Sequence, residues 1–70
     1  MKLTETQEEA LLLLLRMEEV GAKAQSRMLG RGTGVVLLQQ GLVAWDKRNQ
    51  LYGLTDAGRE VAQEAKGERA

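Results

Sequence analysis

The segment Gly41-Leu42-Val43-Ala44-Trp45-Asp46-Lys47-Arg48-Asn49-Gln50-Leu51-Tyr52-Gly53-Leu54-Thr55-Asp56-Ala57-Gly58 leaves a chain of this size few folds to adopt. Gly41 closes a helix in the left-handed conformation that glycine alone adopts cheaply. Leu42 to Trp45 and Leu51 to Leu54 are short apolar segments separated by five polar residues, the composition of a small hairpin. Thr55 then caps a new helix, with Asp56 in the first turn, where the helix dipole favours a carboxylate. Helix end, strand, polar turn, strand, helix start: the pattern is α+β and mainly α.

The same residues resemble the wing of MarR- and PadR-type winged-helix regulators, whose recognition helix ends in Gly-Leu-Val and whose wing returns through Tyr-x-Leu-Thr-x-x-Gly. Here Gly41-Leu42-Val43 and Tyr52-Gly53-Leu54-Thr55-Asp56-Ala57-Gly58 stand in those places. The short format, with a helix directly after Leu3-Thr4, is also similar to small winged-helix proteins of phages and mobile elements. The resemblance implies a winged helix-turn-helix of three helices, a two-stranded wing and a C-terminal helix. The motif match covers the 18 residues from Gly41 to Gly58 and elsewhere rests on element order. A shared fold carries less weight for function, since one fold hosts many.

Seventy residues allow one thin-cored domain, expected over 1–66, with 67–70 a frayed tail. Cysteine and histidine are both absent, which excludes disulfides and thiolate metal sites and removes the commonest general base. The remaining nucleophiles are Thr4, Thr6, Ser26, Thr33, Thr55 and Tyr52, and none has a base at an evident spacing. Glu8-Glu9 and Glu18-Glu19 are neighbours on a solvated helix face. No enzyme, cofactor or metal site is expected. The Leu11 to Leu15 run is far short of the roughly 20 apolar residues that span a bilayer. Glu5, Glu8 and Glu9 occupy the place of a charged-then-apolar leader, so an intracellular, cytoplasmic protein without membrane contact is expected.

The zero net charge hides a pattern. Residues 1–20 carry −3, with Lys2 and Arg16 against Glu5, Glu8, Glu9, Glu18 and Glu19. Residues 21–52 carry +4, with Lys23, Arg27, Arg31, Lys47 and Arg48 against Asp46. Residues 53–70 carry −1. The positive block falls on the half that would face DNA, though four charges also suit an ordinary solvated surface.

The first helix is expected to begin at Thr4, with Gln7 completing a capping box, and to end before Gly21. On a helical wheel Leu3, Ala10, Leu11, Leu14 and Met17 share the inner face. Leu12 falls on the charged face, and Leu13 and Leu15 lie at its edges. Either leucine is exposed there by chance or a second buried surface exists. The second surface would join Leu12, Leu13 and Leu15 to Val61 and Ala65 of the last helix as a homodimer or partner interface. A second helix is expected over 22–29, with Ala24, Met28 and Leu29 inward. The glycines of Gly30-Arg31-Gly32-Thr33-Gly34 lack the strand and the Lys-Ser/Thr of a phosphate loop, so they read as a turn letting two helices cross closely.

A third helix over 33–40 is expected to turn Leu37 and Leu38 inward and Thr33, Val36, Gln39 and Gln40 outward. Gln reads adenine, and Thr and Val methyls touch thymine. Val35 and Val36 stand where the family commonly has basic or polar residues, a departure that favours a protein partner. Lys47-Arg48-Asn49 form the hairpin tip, suited to the phosphate backbone or minor groove. Trp45 and Tyr52, the only aromatics, are expected at opposite strand ends, packing the wing onto the helices and not onto bases. So low an aromatic content speaks against a stacking platform for single strands. The last helix is expected over 56–66.

The leading expectation is a homodimeric regulator that binds duplex DNA. Phosphate contacts fall to Lys23, Arg27, Arg31, Lys47 and Arg48, with Asn49 beside them, and base contacts to Thr33, Val36, Gln39 and Gln40. The alternative is a winged-helix module that binds another protein, a host transcription or defence component, through the third helix or the Leu12 face.

Overall fold

The computed structural model describes residues 3–30 and 32–69. They form a small, mainly helical α+β domain: α1 (Glu5–Glu19), a 3-10 turn (Ser26–Met28), α2 (Thr33–Gln39), β1 (Val43–Asp46), β2 (Leu51–Leu54) and α3 (Asp56–Arg69). No helix among the described residues is long and apolar enough to cross a membrane. Arg31 lies outside them.

The start of α1 follows from its local sequence. Thr4 Oγ1 accepts from the Gln7 amide at 3.2 Å and Gln7 Oε1 accepts from the Thr4 amide at 3.1 Å, closing the capping box. Its far end closes around Gly21 at φ 72, with Gly21 N–H donating to Glu18 and Ala22 N–H to Met17. Leu11, Leu14 and Leu15 are buried, and Leu13 packs against the core from its edge. Leu12 is half-buried and stands outside that cluster. Leu11, Leu14, Leu37 and Val43 are the largest fully enclosed side chains, each stabilising the fold by roughly 1.5–3 kcal/mol.

The expected second helix is replaced by an extended segment and a single 3-10 turn. Ala24 is fully buried and bridges Tyr52 in antiparallel fashion, donating to its carbonyl at 3.0 Å and accepting from its amide at 2.7 Å. The edge of β2 thus takes the backbone groups that a helix would have used. Gly30 at φ 96 ends the turn that follows, and Met28 lies exposed instead of inward.

The strands pair Val43 with Leu54, Ala44 with Gly53, Trp45 with Tyr52 and Asp46 with Leu51. Trp45 and Tyr52 are therefore direct cross-strand partners, not residues at opposite ends, because Asp46 joins β1 and shortens the loop. Their ring centroids lie 4.7 Å apart. Tyr52 is buried against Gly34, where an added Cβ would stand 2.7 Å from the ring.

Gly41, Thr55 and Gly58 of the motif each have a structural task. Gly41 at φ 75 ends α2, with its N–H on Leu38 and that of Leu42 on Leu37. The Thr55 hydroxyl donates to the Gly41 carbonyl at 2.7 Å and accepts from the Gly58 amide at 3.0 Å. One hydroxyl thereby caps α3 and ties it to the end of α2. A Cβ at Gly58 would overlap the Leu42 carbonyl oxygen, so α3 approaches the chain there as only glycine permits.

Helix α3 continues to Arg69, past the expected end at Lys66, and Lys66 reaches Glu19 at 3.6 Å. Arg59 clamps α3 to α1 through Nε and Nη2, each 2.7 Å from the Glu18 carboxylate, and its Nη1 holds Asp56 at 2.8 Å. The Arg59 hydrogen bonds hold the Glu18 carboxyl below its ordinary range. Its contribution is thus present above the ordinary carboxylate value and lost only as pH falls through the lowered one.

Candidate nucleic-acid interface

The hairpin tip is organised by one carboxylate. Asp46 Oδ1 accepts from the Arg48 amide at 3.0 Å and the Asn49 amide at 3.3 Å, while Oδ2 accepts from Asn49 Nδ2 at 3.0 Å. Gln50, at φ 56, donates its N–H to the Asp46 carbonyl at 2.7 Å. The bonds from Asn49 first, then those from Arg48 and the charge of Lys23, keep the Asp46 carboxyl below its ordinary value. Asn49 is thus spent on shaping the loop. Lys23 lies 3.5 Å from Asp46 with its methylenes across Gly53, so its charge is offset within the protein.

Lys47 and Arg48 stand differently. Both are exposed, and among the described residues neither has a carboxylate partner. Arg27 is exposed in the 3-10 turn, its Nε held by Gln25 Oε1 at 2.9 Å, a neutral partner that leaves the charge uncompensated. On the helical side Arg59 and Lys66 are matched to carboxylates, while Arg16 of α1 is exposed with no carboxylate partner among the described residues. Lys47, Arg48 and Arg27 place three further uncompensated cations at the hairpin tip and the 3-10 turn.

The outer face of α2 differs from the wheel. Thr33 is 7% exposed and buried beside Gly34 and Leu37, so it turns inward and offers no outward methyl. The cause is Gly34, whose bare backbone seats Tyr52 and turns that side of the seven-residue helix into the core. The same rotation turns Leu38 outward, at 40% exposure, next to Val35 at 50%. Gln39 and Gln40 are exposed as expected, and Val36 is half-buried. A signal was present: Thr33, Gly34 and Leu37 fall at i, i+1 and i+4 of a helix whose smallest residue marks its closest contact.

Of the residues expected at a second interface, Leu15 and Ala65 are buried within the chain itself. Leu12, Leu13 and Val61 are only partly covered. Among the described residues no group of three or more carboxylates is placed to hold a metal ion. Compared with known proteins, the chain matches no family model, no curated protein and no solved structure.

Proposed function

We propose that this chain is a winged-helix domain that docks on duplex DNA, with the hairpin as its wing. One observation carries the reading: Lys47 and Arg48 stand without carboxylate partners on a loop that Asp46 holds in shape. The element order supports it, and so does the Ala24–Tyr52 bridge, which pins the segment after α1 to the edge of the hairpin at one residue. In this reading Lys47, Arg48 and Arg27 meet phosphates. Gln39 and Gln40 read base edges, with Val36 at the margin of the contact.

Replacing Lys47 and Arg48 together by alanine is expected to weaken duplex binding alike for all sequences. The slope of log affinity against log salt should fall by up to about 2, one unit per lost phosphate contact. An unchanged slope would remove the tip from the DNA backbone.

The exposure of Val35 and Leu38 favours a second reading, in which the outer face of α2 docks on a protein. An affinity for the physiological partner that is flat from low to moderate salt would select it. In either reading two copies pair through Leu12, Leu13 and Val61, the partly covered residues of α1 and α3. Sedimentation at high micromolar concentration should show a dimer that Leu12→Glu converts to monomer; a monomer unchanged by the substitution would end the pairing.

A further inference from the structure

Between the 3-10 turn and the wing tip the surface sinks into an open groove of about 340 Å³, lined by Gln25, Arg27, Trp45, Asn49 and Gln50 among others. Trp45 is the only tryptophan of the chain. Its indole leans on Tyr52 at a tilt of 55°, and 37% of the residue remains exposed. The Arg27 Nε is anchored on Gln25, which leaves its terminal nitrogens for an incoming acceptor. No carboxylate lines the groove, and Lys47 and Arg48 adjoin it along the chain.

An aromatic surface, a fixed guanidinium and side-chain amides together suit a flat, hydrogen-bonding ring that carries negative charge. That is the chemistry of a nucleotide. Inside an intact duplex both faces of each base are already stacked, so the occupant must be unpaired. We propose that this groove binds one unpaired nucleotide, its base against Trp45 and its phosphate on Arg27. The inference rests on the nucleic-acid reading above and specifies the strand state that the wing receives: a single strand, a flap or a frayed end.

The lone tryptophan reports directly. Oligothymidylate of about eight nucleotides, within the length one small domain covers, is titrated into the intact protein. Beside it runs a duplex that is longer, rich in G·C pairs and closed at both ends by non-nucleotide loops, so that it stays fully paired. The single strand is expected to quench the fluorescence and the duplex to leave it nearly unchanged. Trp45→Ala should weaken single-strand binding about fivefold or more and Trp45→Phe much less, with duplex affinity held in both. Arg27→Ala should weaken single-strand binding while the quenching at saturation persists. Because wild-type quenching needs no variant, an unfolded Trp45→Ala chain would not blunt the test.

Single-strand binding without quenching, or equal quenching by the closed duplex, overturns the proposal. Quenching by a neutral proline-containing peptide and none by oligothymidylate overturns it in favour of a protein ligand. Duplex binding that depends on Lys47 and Arg48 with no quenching by the oligonucleotide defeats this inference alone. Quenching by the oligonucleotide with no duplex binding supports the groove and defeats the duplex reading instead.

Discussion

Gly58→Ala should strongly destabilise the domain, although alanine is the better helix former. In an open helix the exchange would stabilise by up to about 1 kcal/mol. Here the new methyl would overlap the Leu42 carbonyl oxygen, a backbone atom that cannot swing aside. That carbonyl also accepts from the Thr55 amide at 3.2 Å, so displacing it disturbs the start of α3 as well. Overpacking against backbone costs about 3 kcal/mol or more. A domain of this length has roughly 4–10 kcal/mol in all. Urea unfolding followed by circular dichroism should show the midpoint falling by about 3 M, given a slope near 1 kcal/mol per molar. Gly67→Ala provides the matched control in the same helix: nothing lies near its added carbon, and a gain of a few tenths of a kcal/mol is expected. Equal effects at the two glycines would mean that α3 does not approach Leu42 as described.

Gly34→Ala is the second large effect, and it reaches the candidate site. The added carbon would meet Tyr52 ring atoms at 2.7 and 2.9 Å. The ring has little freedom to retreat. Trp45 flanks it, and the Tyr52 backbone N–H and C=O are both bonded to Ala24. A loss of about 2 kcal/mol is expected, within the usual range for a methyl forced into a packed site. Since the displaced ring supports the only tryptophan, its emission should shift even where the fold survives. A destabilised variant with unchanged emission would separate Trp45 from the contact.

Both predictions rest on glycines whose importance the chain shows only in part. The boundaries of α1 were legible because Thr4, Gln7 and Gly21 act on neighbours a few residues away. The return from α2 through the wing to Thr55 was legible for the same reason: each cap is a local hydrogen-bonded device. The second helix was not, because Ala24 is claimed by Tyr52, 28 residues further on, and a tertiary edge outbids local propensity there. The strand register turned on whether Asp46 belongs to the loop or to β1, which its side-chain bonds decide. The wheel of α2 misplaces Thr33 and Leu38 because Gly34 seats the distant Tyr52 ring and turns that side of the helix into the core. At the site, Lys47 and Arg48 stand exposed at the tip as expected. The engagement of Lys23 and Asn49 with Asp46 depends on loop geometry that composition does not encode.

The motif that carries the winged-helix resemblance is thus accounted for by folding alone. Gly41, Leu42, Val43, Tyr52, Thr55 and Gly58 close turns, fill the core or permit close approach, and none of them needs a ligand to explain it. Any protein sharing that string would share the scaffold whatever it binds. What distinguishes this chain lies between those residues, in Trp45, Lys47, Arg48 and the outward side of α2.

The bridge at Ala24 also bears on how such a small sheet avoids recruiting strangers. With β1 on one side of β2 and Ala24 on the other at Tyr52, the middle strand has little backbone left to offer. The outer edge of β1 remains open to templated pairing. It is four residues long, ends in an acidic residue and runs into a loop bearing two positive charges. Short, charged edges are poor seeds for strand addition. The cations that make the tip attractive to a polyanion would therefore also discourage the sheet from growing into a fibre.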